Sequence, residues 1–90
     1  MLSNAEIISQ IQCVLHDTNF KLLSFDKKQQ VFGNMIVIIS DGQKNYQFVT
    51  DRGEISCNNK LLLDSSYHLA GQDDTPIHLI TEIDKIIRVK

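Results

Sequence analysis

The stretch Met35-Ile36-Val37-Ile38-Ile39-Ser40-Asp41-Gly42-Gln43 constrains the fold of this chain more than any other. A run of apolar, mostly β-branched residues meets Asp-Gly, a pair that suits the two positive-φ positions of a type I′ hairpin turn. A two-residue loop there pairs Ser40 with Gln43 and sets Val37 opposite Tyr46 and Met35 opposite Phe48. One face of the hairpin then carries Met35, Val37, Ile39, Tyr46 and Phe48, a coherent core surface. The other carries Phe32, Ile36, Ile38 and Val49 among the polar Asn34, Asn45 and Gln47. A bulged turn at Asp51-Arg52-Gly53 adds Ile55 and Cys57 to that second face. An antiparallel sheet with one solvated face alternates apolar and polar residues cleanly, and this one does not. The second face therefore needs a cover, supplied by a helix, by the 61–70 segment or by a partner. Contiguous exposed apolar patches beyond a few hundred Å² are unusual on monomers, so Ile36, Ile38, Val49 and Ile55 form a candidate partner surface.

The flanking segments read as helix before and helix after. Ser3-Asn4-Ala5-Glu6 has capping-box spacing, and Leu2 with Ile7 can staple across it. A helix from Asn4 to His16 follows, with Ile7, Ile8, Ile11, Val14 and Leu15 on one side. His16 in its last turn suits the negative end of the helix dipole when protonated. Phe20 to Phe25 reads as a first strand, Gln30 to Ser40 as the second, Gln43 to Thr50 as the third and Glu54 to Cys57 as the fourth. After a turn at Asn58-Asn59-Lys60, Leu61-Leu62-Leu63 is read as a fifth strand, with a short helix to Ala70 as the alternative. Asp74 or Thr75 caps a last helix with Pro76 at its first position, where a missing N–H costs nothing, and the helix runs from Ile77 to about Val89. Leu79, Ile80, Ile83, Ile86 and Ile87 keep helical spacing there, with Glu82, Asp84, Lys85 and Arg88 facing water. The expected fold is α+β in a single domain spanning the whole chain: an N-terminal helix, an antiparallel meander of about four strands, with a fifth from 61–63, and a C-terminal helix packed on the sheet.

Composition bounds the function. At 90 residues the core is modest, and 42% hydrophobic with 22% charged residues is ordinary globular usage. Eleven acidic against nine basic residues, a net charge of −2, argue against general attachment to nucleic acid or anionic membrane. The candidate stacking aromatics, Tyr46 and Phe48, fall on the core face instead of an RNA-binding one. No apolar run approaches the roughly 20 residues of a membrane span, and the first residues lack the pattern of a signal peptide, so cytoplasmic residence is expected. Cys13 and Cys57 then read as buried free thiols.

Motifs for chemistry are weak. His16, His68 and His78 are scattered, and no zinc, Walker, dinucleotide or EF-hand spacing is present, so no metal and no cofactor are expected. Asp64 and His68 become neighbours if that segment is helical, but no oxyanion pattern accompanies them. Charge distribution is more informative: from Leu61 to Asp84 the acidic residues Asp64, Asp73, Asp74, Glu82 and Asp84 occur with no Lys or Arg. Asp64, Asp73 and Asp74 are therefore candidates for steering a basic partner. The sequence points to a small intracellular, non-catalytic module that acts by binding a partner protein. An acidic, cofactor-free, bacterial-looking chain of this size has the general build of the immunity proteins that neutralise secreted toxins, a likeness of size and charge, which makes an inhibitor of a basic toxin or nuclease the first alternative. A homodimeric accessory or regulatory protein is the second. A small hydrolase using His16 or His68 is the least supported.

Overall fold

The computed structural model describes residues 3–28, 34–64 and 75–89. The chain runs α1 (Asn4–Leu15), β1 (Lys21–Lys28), β2 (Asn34–Ser40), β3 (Asn45–Asp51), β4 (Glu54–Cys57), β5 (Lys60–Leu63) and α2 (Thr75–Val89). The five strands form one antiparallel sheet in sequence order. The expected α+β architecture holds, and 60–63 is the fifth strand.

α1 starts where the sequence says it should. The Ser3 hydroxyl accepts from the Glu6 N–H at 3.1 Å, and the Ser3 N–H donates to Glu6 Oε1 at 3.1 Å, closing the capping box. Asp17 takes a left-handed φ of 63° just past the helix. There the Thr18 hydroxyl donates to the Leu15 carbonyl at 2.6 Å, satisfying an orphan acceptor of the last turn. α2 begins at Thr75, so Pro76 lies in the first turn, as its missing N–H requires.

The turns exchange the roles the sequence suggests. Asp41-Gly42 is not a two-residue type I′ loop: Ser40 pairs with Asn45, so the loop is Asp41 to Lys44. Gly42 has φ +94° but Asp41 is not among the positive-φ residues. Instead the Asp41 carboxylate accepts from the N–H groups of Gln43 and Lys44 at 2.9 and 2.8 Å, an Asx turn that outcompetes the tighter one. Val37 consequently faces Phe48 and Ile39 faces Tyr46, a slip of two residues from the expected register. Because the strand period is also two, no side chain changes face. The positive-φ pairs belong to the next two hairpins, Arg52-Gly53 (52° and 92°) and Asn58-Asn59 (51° and 69°). Each is a two-residue loop, between Asp51 and Glu54 and between Cys57 and Lys60. Asn34 clamps the first of these, its Oδ1 accepting from the Arg52 N–H at 3.0 Å and its Nδ2 donating to Asp51 at 3.3 Å.

The tight Arg52-Gly53 turn corrects one expectation directly. With no bulge there, Thr50 pairs with Ile55 and Phe48 with Cys57, so Ile55 and Cys57 belong to the core face. The bulges lie in the two edge strands, at Leu23 in β1 and Leu62 in β5. The first breaks the alternation of β1, so that Leu22 and Phe25 both join the core. Bulges and the lysines Lys21 and Lys27 on β1 discourage pairing of that edge with another strand.

Both helices pack on the same face. Ile7, Ile11 and Leu15 of α1 and Leu79, Ile83 and Ile87 of α2 make one core with Met35, Val37, Ile39, Phe48 and Ile55. Within it, Thr50 is 2% exposed and its hydroxyl accepts from the Met35 N–H at 2.7 Å, satisfying a buried donor. Two more expectations fail here. Cys13 is exposed, because it lies one side of the Ile7–Ile11–Leu15 stripe. Glu82 is buried, its carboxylate held by Lys85 Nζ at 3.1 Å at the edge of the helix contact.

Candidate functional site

The sheet face opposite the helices carries the residues singled out from the sequence. Cross-strand partners share a face. The row Asp26, Ile36, Val49, Ser56, Leu61 therefore crosses all five strands on the open side, and Ser24, Ile38, Gln47 runs beside it. Ile36, Ile38 and Val49 are half-buried, sheltered by neighbours within the sheet, and none belongs to the core cluster. Leu61 is 54% exposed at the β5 edge. Among the described residues no helix or strand packs over this face. Four inter-strand spacings of about 4.8 Å make it about 19 Å wide, room for two helices side by side, as the opposite face demonstrates. It has an apolar centre inside a polar rim that includes Lys21, Asp26, Asn45, Asp51 and Glu54.

The remaining candidates are not gathered there. Ile55 is fully buried on the helix side and is no part of a partner surface. Asp64 is exposed just after β5, and it makes an interaction of its own. Asp73 and Asp74 lie outside the described residues, as do Phe32 and His68. Glu82 and Asp84 are engaged, the first by Lys85 and the second by Arg88 Nε at 3.1 and 3.0 Å from its two oxygens. The negative stretch of sequence is thus partly neutralised within α2.

Among the described residues, clefts flank the helices at two places. The first, about 490 Å³, lies between α1 and α2 and is lined by Cys13, Val14, His16, Ile80, Thr81, Asp84 and Arg88. It brings a thiol, an imidazole and a carboxylate to one groove, which sequence spacing alone does not reveal. The arrangement is poor for nucleophilic catalysis. Cys13 sits exposed in the last turn of α1. Both oxygens of Asp84 are taken by Arg88, and His16 leans 3.5 Å from Asp17 with both side chains in solvent.

The second cleft, about 350 Å³, is lined by Lys44, Tyr46, Cys57, Asn58, Lys60, Leu62, Ile86 and Val89. Lys44 Nζ lies 5.1 Å from the centroid of the Tyr46 ring, a cation–π contact. Burial pushes the Cys57 thiol up, with the Lys44 ammonium opposing only in part, so the thiol stays protonated and inert. Among the described residues no three His, Cys, Asp or Glu side chains are grouped to hold a metal ion. Among the described residues no helix is long and apolar enough to cross a membrane. No protein-family model, curated protein or solved structure matches the chain, and the geometry alone carries the functional reading.

Proposed function

We propose that the protein is a non-catalytic binding module whose working surface is the open face of the sheet, centred on Ile36, Ile38 and Val49, and whose partner is another protein. The observation that carries this reading is the placement of both helices on one face, which leaves β-branched residues of β2 and β3 without a packed layer among the described residues. Polar residues suffice at such positions when water is the only neighbour. The rim carries both signs of charge, Asp26, Asp51 and Glu54 beside Lys21 opposite Ser40, and so suits a protein better than a phosphate backbone, which demands a surplus of cations. Cytoplasmic residence belongs to the same reading and is supported by two unpaired thiols, one of them exposed.

Affinity purification of the tagged protein from its native host, wild type beside an Ile36→Glu/Ile38→Glu variant, tests the reading. The expected result is a stoichiometric protein, or a second copy of this chain, that the wild type retains and the folded variant loses. Retention by the variant assigns binding to another surface. A wild type that carries no stoichiometric protein and sediments as a monomer contradicts the proposal outright.

A further inference from the structure

The cleft between the last turns of α2 and the β3–β5 end of the sheet has a chemistry that the open face lacks. Leu62, Ile86 and Val89 give it apolar walls, and the charged residues lining it are Lys44 and Lys60. No carboxylate lines it, in a chain whose net charge is −2. Neither lysine has an acidic partner among the described residues, whereas Lys85 and Arg88 on the same helix are both paired. The Asn58 side chain is not available to a ligand. Its Oδ1 accepts from the Gln47 N–H at 3.0 Å and its Nδ2 donates to the Asn45 carbonyl at 3.4 Å, so it fixes the turn that presents Lys60. The negative end of the α2 dipole reaches the same region, but it amounts to about half a charge against two full positive ones. The field in the cleft is therefore positive.

We infer that this cleft binds a small amphipathic anion, one carboxylate or phosphate group on an apolar body, with Lys44 and Lys60 holding the head group and Leu62, Ile86 and Val89 covering the body. A volume of about 350 Å³ matches about a dozen liquid waters, enough for a medium-chain acid or a short alkyl phosphate. Lys44 is already steadied over the Tyr46 ring, so little of its freedom is lost on binding. The site lies on the helix side of the sheet, so its occupancy is independent of whether the open face binds a protein.

Amide chemical-shift titration of the full chain with sodium octanoate, with hexyl phosphate and with 1-hexanol tests the inference. Saturable shifts confined to the neighbourhood of Lys44, Tyr46, Lys60 and Ile86 are expected with octanoate, hexyl phosphate or both, and which of the two saturates first identifies the head group. A Lys44→Gln/Lys60→Gln variant weakens that binding by about tenfold or more, as loss of two charge-assisted contacts requires. Val89→Glu does the same from the rim, where the residue is 84% exposed and the fold does not depend on it. Shifts that scatter over the surface, hexanol binding as well as the anions, or unchanged affinity in the double lysine variant overturns the inference.

Discussion

Ile38 and Ile39 are consecutive residues of one strand, yet they belong to different worlds. Ile39 is fully buried beneath the helices, whereas Ile38 sits half-buried between Ser24 and Gln47 with no helix or strand packed above it among the described residues. The same contrast holds along the whole sheet: Met35, Val37, Phe48 and Ile55 make the core, and Ile36 and Val49 face away from it. Hydrophobicity of a side chain therefore says little about its role in this molecule. What decides is which face the helices occupy, and both occupy one. The core face holds the fold together, at about 1.5–3 kcal/mol per fully buried large apolar side chain. The opposite face, where Ile36, Ile38 and Val49 are half-buried, contributes less to stability and is the surface proposed for recognition.

Substitutions break or sharpen this contrast. Phe48→Ala, which empties the centre of the core, should cost about 3–5 kcal/mol in urea denaturation. A loss under 1 kcal/mol would mean the core is centred elsewhere. Thr50→Val keeps shape but strands the buried Met35 N–H, and should cost about 1–3 kcal/mol. Thr50→Ser keeps the hydroxyl, so a loss as large as that of the valine variant would locate the effect in packing instead. Ser3→Ala, far from either face, removes a helix cap at a cost of about 1 kcal/mol.

A pH dependence accompanies that cap. Ser3, through its backbone N–H first and its hydroxyl second, holds the Glu6 carboxyl below its ordinary value. A depressed carboxyl stabilises the fold fully above its unfolded pKa of about 4.3 and loses that contribution as pH falls through the folded value. The stability gap between wild type and Glu6→Gln should thus be present at neutral pH and close below about pH 4. A gap that widens on acidification would reverse the assignment. The smallest effect is expected on the open side: Val49→Thr should change stability by less than about 0.5–1 kcal/mol.

Much of this was legible in the residues themselves. The capping box at Ser3–Glu6, the helical stripes of both helices and the two faces of β2 and β3 follow from spacing, and the structure repeats them. Face assignment survived a wrong register because the slip was even. What failed did so for identifiable reasons. Asp-Gly favours a two-residue loop by propensity, but the Asp41 side chain can also accept two backbone N–H groups, and only the folded loop decides between them. Gly53 suits a bulged turn, which puts Ile55 on the opposite face, whereas the bulges of the sheet, at Leu23 and Leu62, leave no mark in runs of leucine. The lysine-lined cleft joins residues from β3, β4, β5, two turns and α2, a constellation no linear spacing encodes.

The central claim is that the two faces of one sheet are unequal, and it is tested most directly by placing the same charge on neighbouring residues. Ile38→Glu and Ile39→Glu should be compared in parallel by urea denaturation. A carboxylate at Ile39 enters a fully buried position without a partner and should cost more than about 4 kcal/mol, enough to unfold a domain of ordinary stability or bring it close to unfolding. The same carboxylate at Ile38 should leave the protein folded, within about 1 kcal/mol of wild type. Comparable losses at the two positions would show that the second face is covered within the chain, and would contradict the account.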